Sequence, residues 1–136
     1  MTRYMLDTNT VSHLLKRHPA VVRRVVDAPI TALCISAVTQ GELLFGLARR
    51  PEATSLHAVV REFLRRVDVP PWDAAASEVY GTSRAACQRQ GRVLAPLDLL
   101  IGTHAISLGA VLVTNDQAFT QLAGLRVEDW TADHPS

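Results

Sequence analysis

The run Ala110-Val111-Leu112-Val113-Thr114-Asn115-Asp116 limits the architecture more than any other segment of this 136-residue chain. Four consecutive apolar residues, two of them β-branched, sit between Gly109 and a polar turn. Such a run predicts a strand buried on both faces, the kind found inside a parallel sheet. Just upstream, Asp98 to Leu108 predicts a helix closed by Gly109. Just downstream, Asn115-Asp116 predicts the start of a short helix to Leu122, with a last strand over Leu125–Val127. At the other end of the chain, Tyr4-Met5-Leu6 is a second short apolar run ending at an aspartate, Asp7. Thr8 or Asn9 then caps a helix to about Lys16. Pro19 suits the first position of a helix to Val26. Thr31–Ile35 predicts a strand. Ser36 caps a helix to Arg49, and Pro51 opens another to Arg66. Val67–Val69 predicts a short strand before Pro70-Pro71, and Asp73 caps a helix to Gln90 that Gly91 closes. Strands alternating with helices predict an α/β fold: a central, mostly parallel sheet with helices on both faces.

The length suits one domain over residues 1–136, with a loose tail over 131–136. Hydrophobic residues at 48% and charged residues at 20% exclude a disordered chain. The net charge of +1 means that any polyanion site must come from local clustering. No stretch of about 18 apolar residues is present, so no membrane span is expected. The opening residues have no apolar core or small-residue cleavage site of a signal peptide. Cys34 and Cys87 lie in apolar surroundings; they allow a disulfide, but two buried free thiols in a reducing cytoplasm are the expected state. No Cys/His spacing suits zinc.

Four acids carry the chemical interest. Asp7 ends the first strand, and Asp116 lies just past Ala110–Val113. Ligand sites in open parallel sheets form at that edge. Glu42 lies in the helix after the second strand, and Asp98 at the start of the helix before Ala110. If the first strand and Ala110–Val113 are neighbours, all four can meet. Each also has a plain structural use: Asp98 and Asp116 as helix caps, Asp7 as a turn residue, Glu42 as a solvated helix glutamate. Gly41 and Gly46 weaken the last of these, since each costs the helix roughly 1 kcal/mol and suggests close approach to that face. Crowded carboxylates raise one another's pKa, and a divalent cation relieves that repulsion. Oxygen donors alone fit Mg²⁺ or Mn²⁺.

Met5-Leu-Asp-Thr-Asn, Glu42-Leu-Leu-Phe-Gly, Leu97-Asp-Leu-Leu-Ile-Gly-Thr-His-Ala and Leu112-Val-Thr-Asn-Asp-Gln-Ala-Phe stand in this order along the chain. Together they resemble the PIN-domain family, and within it the VapC-type toxins of toxin–antitoxin pairs, from Tyr4 to about Glu128. The family's acidic residues fall on Asp7, Glu42, Asp98 and Asp116. Its late threonine falls on Thr114 and its early amide on Asn9, which the resemblance implies orient the carboxylates. Gly102 stands where an alanine is common, a departure expected to loosen the helix.

The resemblance implies metal-dependent hydrolysis of RNA. Asp7 and Asp98 would be the main ligands of Mg²⁺ or Mn²⁺, with Glu42 and Asp116 binding directly or through water, and with one or two ions both open. It also implies a homodimer and a small VapB-type antitoxin partner, in the cytoplasm. Surplus apolar residues in Val11–Lys16, Ala20–Val26 and Leu43–Leu47 agree with an interface. Arg84, Arg89 and Arg92 are candidates for phosphate contacts, against an ordinary solvated helix face. His104 is expected to be a partly buried structural histidine rather than a proton donor, and Trp72 a core or interface residue. A phosphoryl-accepting receiver domain also has early acids and Mg²⁺, but it needs a late lysine, and Lys16 is the only lysine. A haloacid-dehalogenase-like phosphatase needs that lysine too, and an aspartate where Asn9 stands. The remaining alternative is a PIN fold serving as a non-catalytic scaffold, against which the presence of all four acids counts.

Overall fold

The structure, a computed structural model, describes residues 1–132. Four short strands, β1 (Tyr4–Leu6), β2 (Leu33–Cys34), β3 (Val111–Val113) and β4 (Arg126–Glu128), form one sheet in the order β2-β1-β3-β4. Every pairing is parallel, with Met5 opposite both Cys34 and Leu112, and Leu6 opposite Val113. Parallel neighbours need crossover connections, and six helices supply them: α1 (Thr8–Leu15), α2 (Pro19–Asp27), α3 (Ala37–Ala48), α4 (Thr54–Arg66), α5 (Ala74–Arg89) and α6 (Pro96–Leu108).

The pleat explains why both faces are covered. Met5, Cys34 and Leu112 point to one face and bury against Cys87, Leu99, Ile101, Ala105 and Phe119. Leu6, Leu33 and Val113 point to the other and bury against Val11, Val21, Val67 and Trp130. Alternate residues of a strand face opposite sides, so two cores grow from one sheet. Both cysteines are free and buried, as expected. Burial pushes the Cys34 thiol up to about 11, which keeps it protonated and unreactive. Among the described residues no helix is long and apolar enough to cross a membrane.

The local differences from expectation have physical causes. Thr31–Ile35 is not all strand: Ile30–Ala32 forms a 3₁₀ turn, and Ile35 leaves the sheet to donate to the Asp68 carbonyl at 3.0 Å. Val67–Val69 makes only a single bridge, between Asp68 and Cys34. Pro70 and Pro71 follow at once and have no N–H to extend a ladder. Pro51 lies in a turn held by Ala53 N–H on the Arg50 carbonyl at 3.1 Å, so α4 starts three residues later. Pro96, not Asp98, takes the first position of α6, a place its fixed φ suits. Asp7 itself, rather than Thr8 or Asn9, caps α1.

Two glycine expectations also change. Gly102 does not loosen α6: a Cβ there would stand 2.4 Å from Leu122 Cδ1, so the glycine makes room for a buried leucine. Among the described residues nothing beyond the local helix itself lies within 4 Å of where a Cβ would stand on Gly41 or Gly46, so no other described segment makes the expected close approach. Thr131 is tied to the Asp129 carboxylate through both its N–H and its hydroxyl. The rest of the expected tail, 133–136, lies outside the described residues.

Candidate functional site

β1 and β3 are adjacent and parallel, so the residues that follow them leave the sheet at the same edge. Asp7 N–H donates to the Val113 carbonyl at 3.1 Å, which ties the two exits together. The Asp7 side chain is 3% exposed, and its Oδ1 accepts from Thr10 N–H at 2.7 Å. The Thr10 hydroxyl donates to the Val113 carbonyl at 2.9 Å. Asp116 uses Oδ1 in the same way, accepting from Ala118 N–H at 2.9 Å and capping the 3₁₀ turn Gln117–Gln121. Capping and chemistry therefore do not compete here. One oxygen holds the aspartate in place, and the second is left for another task.

Glu42 is half-buried on α3, and its Oε1 accepts from the Thr8 hydroxyl at 2.6 Å. Thr8 also lies 3.3 Å from the hydroxyl of Thr39, which is fully buried. Asp98 is different again. Among the described residues its carboxylate makes no hydrogen bond and no ion pair. Burial raises its pKa above the ordinary carboxylate value, and the negative charges of Asp116, Asp7 and Glu42 raise it further, in that order. The structure thus brings all four acids into one electrostatic neighbourhood, and among the described residues no cation is among the groups that act on Asp98. Among the described residues no three Asp, Glu, His or Cys side chains already stand together tightly enough to hold an ion directly. By its chemistry an oxygen-only donor set suits a hard cation such as Mg²⁺, which takes one or two carboxylates and keeps several waters, rather than zinc.

Thr114 is buried, and its hydroxyl accepts from Asp116 N–H at 3.0 Å, which shapes the turn that presents Asp116. Asn9 is exposed and makes no hydrogen bond to any of the four acids among the described residues. Thr8, read in the sequence only as a possible helix cap, makes the carboxylate contact instead. Its signal was the Thr8/Thr39/Glu42 set, visible only once α1 and α3 are packed together. Arg84 and Arg92 line a cleft of about 290 Å³ whose wall includes Pro96 and Leu99, which flank Asp98 in the chain. Arg84 bonds the Tyr80 hydroxyl at 2.9 Å, and Arg92 bonds the Gln121 carbonyl at 2.7 Å. Arg89 lies at the exposed end of α5 and does not line that cleft.

His104 is fully buried. Its Nδ1 meets the Ser36 hydroxyl at 2.8 Å, and its Nε2 meets the Pro71 carbonyl at 3.2 Å. A carbonyl can only accept, so Nε2 carries the hydrogen and Nδ1 accepts from Ser36. Ser36 in turn caps α3 through Val38 N–H at 3.0 Å. The ring of Trp72 lies edge-on at 5.3 Å. His104 therefore joins α6, which carries Asp98, to α3, which carries Glu42. It is a structural residue, more deeply buried than expected.

Fold and site together define an α/β protein with an unbalanced acidic centre at the carboxyl edge of a parallel sheet. The PIN domain family matches residues 4–125. A relative from Shigella flexneri, named tRNA(fMet)-specific endonuclease VapC, is 40% identical over 96% of this chain and 100% of its own length. Ribonuclease VapC2 from Haemophilus influenzae is 30% identical over 96% of this chain and 99% of its own. The crystal structure of DNA-bound VapBC from Salmonella typhimurium superposes with a TM-score of 0.88 at 36% identity, covering 96% of this chain and 99% of that one. The chain belongs to the PIN-domain family and, within it, to the VapC group.

Proposed function

We propose that this protein is a metal-dependent endoribonuclease that hydrolyses RNA phosphodiester bonds and acts in the cytoplasm as the toxin of a toxin–antitoxin pair. The observation that carries the reading is Asp98: a half-buried carboxylate with no donor among the described residues, set among three other negative charges. A fold maintains such repulsion at a cost in stability unless a cation offsets it. Asp7 and Asp98 would hold Mg²⁺ or Mn²⁺, with Glu42 and Asp116 reached directly or through water. When bound, the cation supplies charge neutralisation at the attacked phosphate and acidifies the attacking water. The chain's own part is positioning. Thr10 N–H and the α1 cap hold Asp7, Thr8 aims Glu42, and Thr114 shapes the turn at Asp116. Arg84 and Arg92, in the cleft beside Asp98, and Arg89 near it, are placed to meet RNA phosphates.

A relative named for tRNA(fMet) makes initiator tRNA the first substrate to try. The neighbouring VapBC structures support a VapB-type antitoxin partner. Exposed Val26, Phe45, Val59, Val93 and Leu97 provide apolar surface for that partner and for a homodimer. The test is incubation of the purified protein with tRNA and with unstructured RNA in Mn²⁺, with and without chelator. Cleavage that stops on chelation and returns with metal is expected. Chelator-resistant cleavage would remove the metal from the mechanism, and intact RNA under all conditions would leave the scaffold alternative. Thr8→Val leaves Glu42 without its donor and is expected to lower activity about 10–100-fold, the range for residues that orient metal ligands. A single-turnover assay at saturating metal reads this directly, and full activity would leave Thr8 with no role beyond the start of α1.

A further inference from the structure

A second concavity opens beside the acidic site. It is a groove of about 620 Å³ between α1, α3 and α4, and Thr8 and Glu42 form part of its wall. Its floor is apolar, with Leu43, Leu47 and Val60, and its far rim is basic, with Lys16, Arg49 and Arg50. All three cations are exposed, and none makes an ion pair among the described residues. Lys16 follows Asp7 by nine residues and Arg49 follows Glu42 by seven, so at 1.5 Å per residue the rim stands about 10–13 Å from the acids. Each cation caps or follows a helix C-terminus, where the dipole alone favours positive charge. Arg49 also stacks over the Phe45 ring at 5.2 Å, but neither this nor the dipoles accounts for three cations without a carboxylate partner among the described residues on one groove leading away from a negative centre. Gly46 lines the groove, and among the described residues nothing beyond its own helix stands within 4 Å of where its Cβ would be, so a side chain there would enter open space.

We infer that this groove holds the stretch of RNA strand adjoining the cleaved phosphate, with Lys16, Arg49 and Arg50 on its backbone and a base over the apolar floor. The inference rests on the nuclease reading above. Charge decides the occupant. A polyanion must pass from the acidic centre, which repels it, to a region that attracts it, and this rim adjoins the site at Glu42. A protein segment would have to bring its own acids to match the rim.

The test is the triple variant Lys16→Ala/Arg49→Ala/Arg50→Ala, with Arg126→Ala on the exposed β4 edge as a control for lost charge. Binding of RNA is measured against salt, and kcat and KM are measured with Mn²⁺. The triple variant is expected to raise KM at least tenfold, and to flatten the slope of log affinity against log salt by about 2, the single-strand value for three contacts. The control should flatten it by less than half of that. Gly46→Leu fills the groove while replacing a helix-weakening residue, and should raise KM without altering the salt slope. Active wild-type protein whose triple variant keeps its KM and slope overturns this inference alone. So does a triple variant that cleaves normally but no longer binds a co-expressed antitoxin, since the groove would then be a protein site. Wild-type protein that neither binds nor cleaves RNA overturns the nuclease reading and this inference together.

Discussion

Asp98→Asn is expected to abolish RNA cleavage while leaving the fold as stable as before or more so. The two halves of this result have the same cause. Among the described residues Asp98 has no hydrogen-bond donor, and Asp116, Asp7 and Glu42 all act on it repulsively. Removing its charge relieves the folded state, so the thermal midpoint should hold or rise. The same change removes a principal cation ligand, and the loss of charge stabilisation in the transition state should reach about 10³-fold. Asp7→Ala should be equally inactive but not equally stable, because Asp7 is buried and caps α1 through Thr10 N–H. Losing the cap acceptor there costs about 1 kcal/mol. Single-turnover cleavage and chemical denaturation, run on both variants, check the pair. An Asp98→Asn protein that cleaves at the wild-type rate, or that melts well below wild type, would show that Asp98 is a structural residue.

His104→Ala is expected to destabilise the protein by about 3 kcal/mol, chiefly from the cavity, with a smaller part from two polar groups that each lose a hydrogen bond. Those groups are the Ser36 hydroxyl and the Pro71 carbonyl. Activity should fall with stability, because the same ring sets α3 against α6. The wild type should also lose stability on mild acidification. Burial holds His104 below its ordinary 6.5, against the pull of the Pro71 carbonyl and Asp73. The unfolded chain therefore binds a proton that the folded chain refuses. Stability is full above pH 6.5 and falls by about 1.4 kcal/mol per unit below it, until the folded pKa is reached. Urea denaturation at pH 7 and pH 5.5 measures the slope. His104→Gln, which cannot take up the proton, should flatten it, and an unchanged slope would assign the acid sensitivity to other groups.

The sheet was legible because β1 and β3 are apolar runs that each give way to polar residues at a buried edge, a pattern of local composition. The four acids were legible as candidates for the same reason: each falls at, or one helix from, a strand exit. Signals of one or two residues were less reliable. Pro51 and Asp98 both looked like helix starts, but neighbouring turn bonds and Pro96 decided those boundaries. Val67–Val69 has strand composition, but the two prolines after it leave room for one bridge. Gly102 looked like a weakness in α6 because its requirement comes from Leu122, twenty residues away.

What the chain determined by itself is the alternation of strands and helices, the two inert thiols, and the identity of the residues that carry negative charge to one edge. These follow from apolar periodicity and residue chemistry, which are local. Packing decided what those charges face and what steadies them. Thr8 finds Glu42 across 34 residues, His104 finds Ser36 across 68, and Thr10 finds the Val113 carbonyl across 103. Such pairs form because parallel strands bring distant segments to one edge, a consequence of strand order that no single segment encodes.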